Sequence, residues 1–177
     1  MIQSKTLASG ISDGIRIKET VLMAAAAVIF PFIVHFIPAS DGIPAGARLL
    51  AMFYAPFIAV LLFNSQVALT TAILAPVLNH IITGMPKAEL IPVLTIELFL
   101  FSLACLLFKR NNILKYGAAP LAYIAAKVVS SAAVLVYAPL SGGPSAGGFF
   151  VSSVSNAVPG LIIMLLIGVA VIRMKKS

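Results

Sequence analysis

Glu97 and Lys127 stand inside long apolar stretches, and His35, Arg48, Asn79, His80 and Asn156 stand within or at the ends of others. Ionisable groups are costly in hydrocarbon, and within membrane spans they mark ligand or ion sites. The chemistry open to this set is recognition. A carboxylate and an ammonium either neutralise each other or hold a charged ligand, with amides and imidazoles to orient it. Tyr123, Lys127, Ser130 and Ser131 recur at offsets of three and four, so they share one helix face and flank a cation with hydroxyls. Ser152, Asn156 and Gly160 repeat that relation, with Ser153 and Ser155 nearby. Small polar residues on such faces also serve as contacts between membrane helices.

Arg48 is a second embedded cation, which leaves two positive groups for one carboxylate. That surplus favours a ligand carrying a carboxylate or another anion. Arg48 equally suits an interfacial residue snorkelling outward. Asn79 and His80 are adjacent, hence about 100° apart on a helix, so one of them faces a shared pocket; Asn79 is the choice. With only His35 and His80 present, a metal site lacks further ligands, and no cofactor is expected. The binding set read from the sequence is therefore Arg48, Asn79, Glu97, Lys127, Ser131 and Asn156.

The elements that must position these side chains follow from composition. Of 177 residues, 61% are hydrophobic and only 10% charged, and the mean hydropathy is +1.11. Such a chain lies outside the range of soluble domains. Its apolar blocks are too long and unpatterned for barrel strands, and each meets the requirement of about 20 residues per helical span. The expected fold is an all-α integral membrane protein, a compact single-domain bundle over 1–177 with helices at roughly 20–37, 46–63, 66–83, 91–108, 116–137 and 149–172. Residues 1–19 form a short leading segment. The first apolar run is read as a permanent helix, because its charged start is far from the chain end and no cleavage site precedes the next polar stretch. Cys105 is read as a small core residue.

The position of the cations gives orientation. Lys5, Arg16 and Lys18 precede the first helix; Lys109, Arg110 and Lys115 lie between the fourth and fifth; Arg173, Lys175 and Lys176 close the chain. The opposite loops hold Lys87, Asp41 and Glu89. By the positive-inside rule both termini are cytoplasmic, and the net charge of +7 reflects topology rather than nucleic acid. At 1.5 Å per residue, Glu97 and Asn156 lie about 10 Å below the outer ends of their helices, and Lys127 near mid-span. His35, Arg48, Asn79 and His80 lie within a turn or two of the outer surface, so the expected pocket faces outward. The loop Ser141-Gly-Gly-Pro-Ser-Ala-Gly-Gly suits a gate over that pocket or a plain connector. Prolines 31, 56, 76, 92, 120 and 159 bend spans and free carbonyls. The small residues from Ala24 to Ala27 let another helix approach closely, within the bundle or from a partner. No phosphate loop, catalytic triad or metalloprotease motif is present, and no enzymatic activity is expected.

Over its whole length the chain resembles the substrate-binding S components of energy-coupling factor transporters. The likeness is carried by six helices in under two hundred residues, an alanine-rich first helix, and the stretch from Gly46 to Pro86 with Ala55-Pro56 and Ala75-Pro76. It implies capture of a vitamin or related micronutrient from outside a bacterial or archaeal cell membrane, near the outer face. It also implies a transmembrane coupling subunit and two ATP-binding subunits as partners, met through Ala24, Ala25, Ala27 and Val28 of the first helix. The family's Ala-xxx-Ala spacing is imperfect, since Val28 follows Ala24. The absence of tryptophan and of a histidine-rich N-terminus argues against thiamine and against nickel or cobalt as substrates. The surplus of cations points to pantothenate-like, biotin-like or lipoate-like molecules. The rival readings are a structural scaffold resembling the MreD type, with buried polar groups that only hold helices together, and a stand-alone transporter using Glu97 for proton coupling.

Overall fold

The computed structural model describes residues 16–38, 42–111, 114–141 and 145–174. The elements are α1 (Ile17–Val34), α2 (Ala45–Leu49), α3 (Ala51–Leu62), α4 (Ser65–Thr83), α5 (Ile91–Lys109), α6 (Ala118–Ser141) and α7 (Ala146–Met174), with single 3₁₀ turns at Ala88–Leu90 and Leu114–Gly117. No strand occurs among the described residues. The protein is all-helical, and five stretches are long and apolar enough to cross a membrane: Ile17–Val34, Ala45–Leu62, Ser65–Thr83, Ala88–Lys109 and Ala146–Met174. A further apolar helix covers Ala118–Ala132. These are the features of a multi-pass membrane protein.

Successive long helices run in opposite directions between two ends of the bundle, called here the Pro86 end and the Lys109 end. α1 packs on α3 and α4, α4 on α5, α5 on α6, and α6 on α7, while α3 touches α1, α4, α5 and α7. α3 is thus the central rod. Nine of its twelve residues are buried, and its sequence is apolar all round, as a helix surrounded by others requires. The outer helices instead expose apolar faces, such as Val21, Ile29, Phe32 and Ile33 on α1 and Ile162 and Leu166 on α7. Lipid can cover such faces without cost.

Local chemistry sets the ends. Asn64 caps α4 by accepting a hydrogen bond from the Val67 amide at 2.9 Å. Gly84 closes the same helix in the left-handed conformation, φ 74°, and donates its amide to the His80 carbonyl at 2.9 Å. Pro92 lies in the first turn of α5, where a missing N–H breaks no intrahelical bond. At the other end of α5 the Lys109 ammonium donates to the Val60 carbonyl, satisfying one of the open acceptors near the end of α3.

The second expected helix, 46–63, is interrupted. Leu50 adopts φ 55° and ψ 37°, and the chain turns between α2 and α3. A left-handed leucine is strained. The surroundings hold it: the Tyr54 hydroxyl donates to the Leu49 carbonyl, the Leu50 amide donates to the Gly46 carbonyl, and the Phe53 amide donates to the Leu50 carbonyl at 2.9 Å. From the other side, α7 presses Gly160 against the break. A Cβ at Gly160 would lie 2.6 Å from both the carbonyl carbon and the oxygen of Leu49, so only glycine permits this approach.

The other expected helices are present to within about four residues at each end. The loop read as a gate or a plain connector is shorter than its sequence suggests. Gly147 and Gly148 belong to the first turn of α7, where the Gly148 amide donates to the Ser145 hydroxyl at 3.2 Å, and residues 142–144 lie outside the described residues. Of the leading segment 1–19, residues 1–15 also lie outside them.

Candidate functional site

Glu97 on α5 and Lys127 on α6 face each other, each more than nine-tenths buried. Of the two arrangements the sequence leaves open, the structure has them paired. The Lys127 ammonium donates to both carboxylate oxygens of Glu97, at 2.7 and 2.8 Å. It also lies 5.7 Å from the Tyr123 ring centre and 5.2 Å from that of Phe149, within reach of the negative faces of both. The Tyr123 hydroxyl donates to the Ser153 carbonyl at 3.4 Å, and the Ser130 hydroxyl to the Lys127 carbonyl at 3.3 Å. Tyr123, Lys127, Ser130 and Ser131 share the buried face of α6, as their spacing predicts.

The remaining polar residues do not converge on this pair. Asn79 is fully buried and links helices: its amide nitrogen donates to the Ala27 carbonyl of α1 at 2.7 Å and to its own helix at Ala75, 2.8 Å. The His80 Nδ1 donates to the Pro86 carbonyl at 2.8 Å, tying the end of α4 to the following loop. The His35 Nδ1 donates to the Pro31 carbonyl at 2.7 Å. Half-buried Arg48 sits in a small groove of about 140 Å³ with Ile37 and Pro159. The Asn156 amide turns along α7 to the Ser152 hydroxyl, at 3.3 Å. Among the described residues, no three His, Cys, Asp or Glu side chains cluster as metal ligands.

A cavity of about 260 Å³ lies elsewhere, at the Pro86 end. One wall is the end of α1, with Pro31 and His35; another is the α2–α3 break, with Pro44, Gly46, Leu50 and Phe53. Met85, Pro86, Leu90 and Leu94 close it from the α4–α5 connection. The described lining residues are almost wholly apolar, and His35 is the one titratable side chain among them. The volume is near the lower end for small-molecule sites, about 300 Å³. Leu94 stands one turn before Glu97 on α5, and Phe53 packs edge-to-face on Phe101 at 5.0 Å and on Tyr123 at 5.4 Å. Phe53 thus separates the cavity from the aromatic surround of the ion pair.

The binding residues read from the sequence and the cavity therefore occupy different places. None of Arg48, Asn79, Glu97, Lys127, Ser131 and Asn156 lines it. The lining residues are chemically bland. Their signal in the sequence is positional: Pro44-Ala-Gly at one edge and Gly84-Met-Pro at the other, both able to break helices beside a hollow. Of the small residues on α1, Ala27 is fully buried and used within the bundle; Ala24 and Val28 are half-buried, and Ala25 is exposed.

Comparisons with protein-family models, with known proteins and with solved structures each return no match.

Proposed function

We propose that the chain is the membrane-embedded substrate-binding subunit of an energy-coupling factor type importer in a bacterial or archaeal cell membrane. In this reading it has six spans and cytoplasmic termini, and it captures a small vitamin-like molecule from outside. The cavity at the Pro86 end carries the reading. The positive-inside rule puts that end outside, since Lys109, Arg110 and Arg173 lie at the other. Energy would come from a coupling subunit and two ATPases, with the exposed side of α1 around Ala25 as the surface they meet.

The geometry alters the expected ligand chemistry. Surplus cations favoured a carboxylate ligand, but Lys127 is taken up by Glu97, and Arg48 opens onto a separate groove. The cavity itself suits a molecule with an apolar body and at most one polar group, set toward His35. Mass spectrometry of small molecules retained by the detergent-purified protein tests this directly. A retained compound that Gly46→Phe expels supports the reading, because a side chain at Gly46 meets nothing within 4 Å and grows into open space.

The scaffold reading has one observation in its favour: the buried polar groups of Asn79, Glu97 and Lys127 bond helices to one another. It predicts that filling the cavity changes no ligand retention.

A further inference from the structure

A second hollow at the Pro86 end has a different character. It has a volume of about 250 Å³ and lies between α6 and the start of α7, lined by Val128, Ser131, Ala132, Ala146, Gly147 and Phe150. Ser131 is 93% buried by its 7% exposure, yet its hydroxyl has no hydrogen-bond partner among the described residues. A buried hydroxyl left unpaired costs free energy, and a ligand that accepts from it would recover that cost. The opposite wall is the first turn of α7, a helix of 29 residues; its Gly148 and Phe149 amides bond Ser145, while the Ala146 and Gly147 amides and the helix dipole present partial positive charge. Gly147 stands in that turn with nothing within 4 Å of its Cβ position, so a ligand can approach the backbone there. One turn deeper on α6, the Lys127 ammonium has two of its three donors on Glu97 and lies against Phe149 of the same first turn.

We propose that Ser131 and the first turn of α7 form a subsite for the carboxylate of a small molecule, separate from the apolar cavity. The hydroxyl supplies one donor and the helix start supplies backbone N–H groups and a favourable field, an arrangement suited to an anion. The shallow, open groove admits a short acyl chain beside Val128 and Phe150. The site does not depend on which molecule the apolar cavity takes.

The test is thermal unfolding of the detergent-purified full chain, titrated with sodium butyrate against sodium chloride at constant ionic strength, with 1-butanol and inorganic phosphate as comparison probes. Butyrate is expected to raise the melting temperature and butanol to leave it unchanged. Ser131→Ala should raise the half-saturating butyrate concentration about tenfold, the loss of one hydrogen bond to a charged group. Ser131→Thr should retain the response, and Gly147→Leu should abolish it. Unchanged titrations in Ser131→Ala and Gly147→Leu overturn the proposal. Equal stabilisation by butanol also overturns it, by making the binding apolar, and equal stabilisation by phosphate overturns the carboxylate assignment in favour of a general anion site. A response lost in Gly46→Phe but kept in Ser131→Ala places the anion in the apolar cavity. That result refutes this inference while leaving the importer reading intact.

Discussion

Two regions of the bundle contrast sharply. Between α5 and α6 the chain buries an acid and a base, and they satisfy each other. Between α1, the α2–α3 break and the α4–α5 connection it leaves a hollow and lines it with proline, glycine and aliphatic side chains. Charge makes a residue conspicuous in a membrane sequence, but a buried charge first needs a partner, and the nearest available one is on a neighbouring helix. A hollow arises instead where the backbone cannot continue a helix. The polar seam therefore secures the walls, and the interrupted backbone leaves the hollow.

The largest expected effect falls on the seam. Glu97→Gln leaves the Lys127 ammonium buried without its counter-ion and should lower stability by about 3–5 kcal/mol. Chemical unfolding in detergent measures it. The double variant Glu97→Leu with Lys127→Met removes both charges and should recover most of that loss. If the double variant is no more stable than the single ones, the pair is more than a mutual neutralisation, and the contrast fails.

The break comes next. Gly160→Ala drives a methyl into the Leu49 carbonyl, 2.6 Å away, and overpacking of this kind costs about 1–3 kcal/mol. Because Leu49 and Leu50 form the turn beside the cavity, the variant should also weaken ligand retention. A neutral Gly160→Ala would show that α7 does not hold the break.

Smaller is the change expected at Asn79. Asn79→Ala removes the bond to Ala27 that joins α1 to α4, and single hydrogen bonds between membrane helices contribute about 0.6–2 kcal/mol. Equal retention of a bound molecule by wild type and Asn79→Ala is expected. Loss of the molecule, with the melting temperature kept, would return Asn79 to the binding set.

How far the sequence anticipates these features depends on the signal each one carries. Helices are legible because long apolar stretches admit no other structure in lipid. The buried face of Tyr123, Lys127 and Ser131 is legible from spacing alone. The break at Leu50 is not, because leucine carries no preference for the left-handed conformation; it is imposed by Tyr54 and by Gly160, 110 positions away by their numbers. The separation of polar residues from the cavity is hidden for a related reason. Linear position gives depth for Asn79, Glu97 and Asn156, but which neighbour each one meets is fixed only by how the helices pack against α3 and against one another.

In the importer reading, the cavity at the Pro86 end is the place where a small molecule is held. The most direct measurement is native mass spectrometry of the purified protein beside Gly46→Phe and the Glu97→Leu, Lys127→Met double variant, with melting temperatures recorded for each. The expected result is a bound small molecule in wild type and in the double variant, and none in a folded Gly46→Phe. Retention by Gly46→Phe together with loss in a folded double variant would contradict it, and would place the ligand at the ion pair.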